Sequence, residues 1–128
     1  MSYKTAKIYT GSEWVDLAVS VSDATQRTVQ NISGTTYTPG ISDAGKALIF
    51  SNSSSITLTV PAESSTNYVI GQSFQIIQKG SGQVTVVGAS GVTINSLGSK
   101  TKTNGQYSDV RLLKTASNEW LLSGDLSS

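Results

Sequence analysis

The chain has 128 residues and a mass of 13.4 kDa, room for one compact domain that can fold without a metal or a disulfide. Nine Lys and Arg against eight Asp and Glu leave a net charge of +1, which argues against nucleic acid as a partner, since phosphate contacts need a concentrated basic stripe. With no His and no Cys, Ser-His-Asp and Cys-His nucleophiles, imidazole or thiolate zinc sites and the usual haem or iron–sulfur ligation are excluded.

Solubility rests on hydroxyls rather than charge: 22 Ser and 15 Thr accompany only 13% charged residues. Such a composition is compatible with disorder, but apolar residues recur at every second position in short runs, the period of strands with one buried face. The N-terminus, MSYKTAKIYTG, lacks the apolar segment of a secretory signal, and no stretch approaches the ~20 apolar residues of a membrane span. The expectation is synthesis in a cytoplasm and no membrane insertion.

Along the chain, residues 4–19 read as an N-terminal hairpin, with KIYT and EWVDLAV flanking a Gly11-Ser12 turn and Trp14 on the second strand. Residues 20–38 are polar, with apolar residues only at Val21, Val29, Ile32 and Tyr37 beside Ala24, and read as a linker plus one weak strand. Pro39-Gly40 and Asp43-Ala44-Gly45 then lead into KALIFSN, whose continuous apolar run suits a strand buried on both faces. In SITLTV, Ile56, Leu58 and Val60 share one face, and Pro61 ends the ladder by removing a donor.

Residues 61–69 form a loop with room for one helical turn. SFQIIQK and QVTVVG, joined by Gly80-Ser81-Gly82, read as a hairpin with Val84 and Val86 inward. A turn at 88–91 precedes VTIN, and QYSDVRLLKTA returns through Ser117-Asn118 into EWLLSGDL, a last hairpin carrying Trp120. The whole predicts an all-β fold, an antiparallel β-sandwich or small jelly-roll-like barrel with an N-terminal hairpin and arm. Residues 1–33 form the arm and 34–128 the sandwich module.

Little chemistry is visible. Three Glu and five Asp are the only acid–base groups near neutral pH, and each of Glu13, Asp43 and Glu119 sits beside a turn signal, as expected of side chains that hydrogen-bond locally. No Asp-x-Asp-x-Asp loop occurs, so no metal is assigned, and no cofactor. The glycine-rich steps at 80–82 and 90–92 open no helix and cannot aim amides at a phosphate. Lys100 and Lys102 make the densest basic cluster, read as a solvated loop. Aromatic side chains remain. Trp14 and Trp120 share a Glu-Trp-aliphatic frame that suits core cover, while Tyr3, Tyr37 and Tyr68 are the candidates for exposed contacts; these five are the expected binding residues.

The order of elements from Gly34 to Leu126, roughly three-quarters of the chain, resembles a module of tailed-bacteriophage virion proteins, chiefly tail fibres and related surface proteins. The resemblance lies in GTTYTPGISDAGKALIFSN, SSITLTVPAESS, IGQSFQIIQKGSGQVTVVGASGVTINS and the closing pair GQYSDVRLLKTASNEWLLSGDL. KIYTGSEWVDLA is also similar to segments that precede such modules.

The resemblance implies a β-rich, non-enzymatic virion structural protein, often trimeric. It would be assembled in the host bacterial cytoplasm and would dock on other capsid or tail proteins. The chain has no stalk, coiled-coil heptads or collagen-like repeat, which suits a capsid decoration protein or a knob as well as a fibre tip. Residues 1–33 are then the expected docking segment, and their removal is expected to leave a folded but unattached domain. The alternative reading is a carbohydrate-binding adhesin that recognises a host surface glycan through its aromatic side chains; a polysaccharide depolymerase is disfavoured by the thin acid–base inventory.

Overall fold

The computed structural model describes residues 7–9, 14–16 and 27–128. Thirteen strands are assigned in them: β1 (Lys7–Tyr9), β2 (Trp14–Asp16), β3 (Val29–Ile32), β4 (Thr36–Tyr37), β5 (Ala47–Phe50), β6 (Ile56–Val60), β7 (Ser73–Gln78), β8 (Val84–Gly88), β9 (Thr93–Ser96), β10 (Lys102–Thr103), β11 (Asp109–Ala116), β12 (Glu119–Gly124) and β13 (Leu126–Ser127). β1 and β2 pair antiparallel, Ile8 opposite Val15, as the hairpin reading requires; the Gly11-Ser12 turn and Tyr3 lie outside the described residues.

The other strands form two sheets packed face to face, one ordered β3-β5-β7-β11-β12-β9 and the other β13-β10-β8-β6-β4. This is the all-β sandwich expected from the alternation. The sheets are mixed rather than antiparallel throughout. From β3 to β8 the chain alternates between them, so β3, β5 and β7 stack parallel in one sheet while β4, β6 and β8 stack parallel in the other. Three successive turns of chain thus lie on one another like rungs. β10, β11, β12 and β13 then return antiparallel, and β9 closes the larger sheet parallel to β12.

The expected hairpin across Gly80-Ser81-Gly82 is therefore a crossover between sheets. It lies on the preceding crossover: Lys79 and Gly80 donate to the Phe50 carbonyl at 2.8 and 3.0 Å, and Gly82 donates to that of Asn52 at 3.0 Å. Glycine is required by proximity. A Cβ on Gly82 would stand 2.0 Å from the Ser54 carbonyl oxygen, and one on Gly80 2.5 Å from that of Ser51. The crossover below is bound in turn, through Asn52 Nδ2 to the Ser33 carbonyl at 2.8 Å and Ser51 N–H to that of Ile32 at 3.1 Å.

The core lies between the sheets. Ile56, Leu58 and Val60 of β6 are fully buried, with Val84 and Val86 beside them, and face Leu48, Phe50, Phe74, Ile76, Leu112 and Leu122 of the larger sheet. Val110, Ile32 and Trp120 also belong to that inner face. Each such side chain contributes about 1.5–3 kcal/mol relative to remaining in water. On β5 the burial is one-sided in part, since Ile49 is only half-buried on the outer face. Residues 29–32, assigned to the arm from sequence, are an edge strand of the larger sheet in parallel register with 47–50, so the sandwich begins before residue 34. The sequence signal was weak because β3 (VQNI) places just one side chain, Ile32, in the core.

No helix among the described residues is long and apolar enough to cross a membrane.

Candidate functional site

Of the five aromatic residues expected to bind, the structure places two in the core. Trp120 is 1% exposed and Tyr68 2%. Tyr68 meets Phe74 and Trp120 edge to face at ring-centroid distances of 5.1 and 5.6 Å, and Phe74 stacks on Trp120 at 5.8 Å. Each of these rings buries more apolar area than an aliphatic side chain would, so the cluster serves the core. Tyr37 is half-buried against Phe50, edge to face at 6.0 Å, with its hydroxyl already engaged. Trp14 lies on β2 as expected, paired through its backbone with Tyr9. Among the described residues, Tyr37, Tyr68 and Trp120 are neighbours, but with Tyr68 and Trp120 in the core they offer no exposed stacking surface.

The polar parts of the two tyrosines serve another purpose. The Tyr37 hydroxyl donates to Asp43 Oδ2 at 2.5 Å, and the Gly40 N–H donates to the same oxygen at 3.0 Å. Asp43 is 6% exposed and also pairs with Lys46 at 3.5 Å, so the turn at 41–43 is fastened from inside rather than solvated. Burial, followed by the hydrogen bond to Asp43 and its negative charge, pushes the Tyr37 hydroxyl up to about 12. The Tyr68 hydroxyl donates to the Gly40 carbonyl at 2.7 Å; burial first, then the Asp43 charge, pushes it higher still.

A second fastening holds the loop at 61–72. Lys114, 2% exposed on the inner face of β11, reaches Glu63 Oε2 at 2.8 Å and donates to the Tyr68 carbonyl at 2.6 Å and Asn67 Oδ1 at 3.3 Å. Glu63 also accepts from the Asn118 N–H and the Ser117 hydroxyl, each at 3.0 Å, while its own N–H donates to Asn118 Oδ1 at 2.9 Å. The Lys114 hydrogen bond, then those of Asn118 and Ser117, hold the Glu63 carboxyl below the usual range. Asn118 has φ +50°, a conformation Asn tolerates better than most residues. Sequence reading missed Lys114: its inward position shows only in the register of DVRLLKTA, where Val110, Leu112 and Lys114 share the core face.

At this end of the sandwich two loops, 38–46 and 61–72, are thus clamped to each other and to the β11–β12 turn. They expose apolar side chains: Ile41 is 59% exposed, Val69 69% and Ile70 61%. A rigid loop pair bearing exposed branched aliphatics is suited to bind another macromolecule, since little entropy is lost on ordering it. Among the described residues no group of three or more carboxylates, His or Cys could hold a metal ion.

The chain matches no protein-family model and no curated protein.

Proposed function

We propose that this protein is a structural component of a tailed-phage particle, exposed on the virion as a capsid decoration or as a fibre or knob subunit, and that it acts by docking on other virion proteins. The observation that carries this reading is the clamped loop pair with Ile41, Val69 and Ile70 exposed, in a chain that is hydroxyl-rich and sparsely charged. The stretch that resembles phage surface modules, 34–126, also covers β4 to β13, nearly the whole two-sheet body, so the resemblance concerns a folding unit and not a scattered motif. Docking through these loops fits a closed homo-oligomer, a trimer in this reading, in which copies cover one another's open strand edges.

The test is incorporation. A tagged copy expressed during infection is expected to co-purify with particles, whereas a folded Ile41→Asp/Val69→Asp/Ile70→Asp variant stays in the soluble pool. Equal incorporation of the variant would show that the loop pair is not the docking surface.

A further inference from the structure

The chain has only two arginines, Arg27 and Arg111, and both line one groove of about 320 Å³ on the outer face of the larger sheet. β-Pairing puts Gln75, Arg111 and Ser123 in one row across β7, β11 and β12. Arg27 enters from the segment ahead of β3, anchored by an Nη1 hydrogen bond to the Gly45 carbonyl at 2.9 Å. Neither guanidinium forms an ion pair among the described residues. Asp109 shares the groove but is engaged by Gln75, whose Nε2 donates to Asp109 Oδ2 at 3.0 Å.

Two guanidinium groups and one carboxylate line this concavity, which leaves it with a net positive charge, and planar guanidinium is the group best matched to a carboxylate. A second groove, of about 240 Å³, shares Ser123 and Gly124 with the first and is lined further by Leu97, Lys100, Leu121, Leu122 and Leu126. Leu97 is 85% exposed and Leu121 38%. The two adjoining grooves therefore present two arginines, hydroxyl and amide groups, and an aliphatic surface with another cation.

We propose that these adjoining grooves bind an acidic polysaccharide made of uronate units. Each unit brings a carboxylate for Arg111 and Arg27, hydroxyls for Gln75, Asp109 and Ser123, and a C–H face for the leucines. A repeating carboxylate matches a further cation in the second groove, which a single small anion does not. Stacked bases find no aromatic side chain among the residues lining either groove. The site takes up the glycan reading through side chains other than the aromatic ones, and it is independent of where on a particle the subunit sits.

The test is calorimetric titration of the full chain with galacturonate oligomers at low salt, with neutral dextran oligomers and inorganic polyphosphate as comparison probes. Binding of the uronate oligomers alone is expected, weakening with added salt because the groove is open. Arg111→Gln and Arg27→Gln should each weaken it at least tenfold with unchanged melting temperature, and Lys100→Gln should weaken long oligomers more than short ones. No binding of galacturonate by the folded chain overturns the proposal. Equal binding of polyphosphate overturns it in favour of unselective anion attraction, and undiminished binding by both arginine variants overturns the assigned groove. None of these results bears on incorporation into particles, which is measured separately.

Discussion

Replacing Gly82 with Ala tests whether the two sheets are built from stacked rungs. In a hairpin turn with ordinary φ this change costs no more than about 1 kcal/mol and can stabilise by restricting the unfolded chain. In the stacked crossover the new methyl would lie 2.0 Å from the Ser54 carbonyl oxygen and 2.6 Å from that of Asn52. Both neighbours are backbone, so relief requires the rungs to separate and the Gly82 to Asn52 hydrogen bond to stretch. Overpacking of this kind costs about 1–3 kcal/mol, and the weakened hydrogen bond about 1 more. The expected loss is about 3 kcal/mol, or roughly 10 °C in melting temperature for a domain of this size. Urea unfolding followed by tryptophan fluorescence measures it, with Gly40→Ala as the control, because no atom lies within 4 Å of that Cβ and its φ is −99°. A Gly82→Ala loss below 1 kcal/mol, equal to the control, would refute the stacking.

Lys114→Met removes the cation that holds the 61–72 loop and should cost about 2–4 kcal/mol, less than an ion pair buried at both ends because Glu63 is open to solvent, as measured by denaturant unfolding. Since folding lowers the Glu63 pKa, the stabilisation is complete above the unfolded value of 4.5 and is lost as pH falls through the folded one; Glu63→Gln should flatten the acid limb of a melting-temperature profile. The Tyr37 pKa is raised from 10.0 to about 12, so the unfolded chain loses this proton first and stability falls from pH 10 to about 12. Tyr37→Phe should make that alkaline decline shallower. Deleting residues 1–33 removes β3 and Ile32 and bares the edge of β5, so circular dichroism should show a far less stable domain than deletion of residues 1–26.

Period-two alternation made the inner faces of the sandwich legible, as in β6 and β8, because a strand buries alternate residues whichever neighbour it pairs with. For the same reason it could not reveal direction: Gly80-Ser81-Gly82 is as suitable for a reversal within one sheet as for a close approach between stacked crossovers. The rungs carry no sequence repeat because the 61–72 loop lengthens one of them and leaves no fixed period. At the loop platform, Tyr68 and Asp43 looked like surface residues by type and local context. The partners of Tyr68, namely Gly40, Phe74 and Trp120, are brought close by the sheet order, while Asp43 is held by Tyr37 and Gly40 of its own loop, a contact that alternation does not reveal. Lys114 was hidden in the same way, as a charged residue in an inward register whose partners lie some fifty residues earlier in the chain.

Gold-labelled antibody against this protein, applied to intact phage particles and read by electron microscopy, tests the central claim most directly. The account predicts regular label on heads or on tail fibres. Particles free of label, from lysates that contain the protein in soluble form, would contradict it.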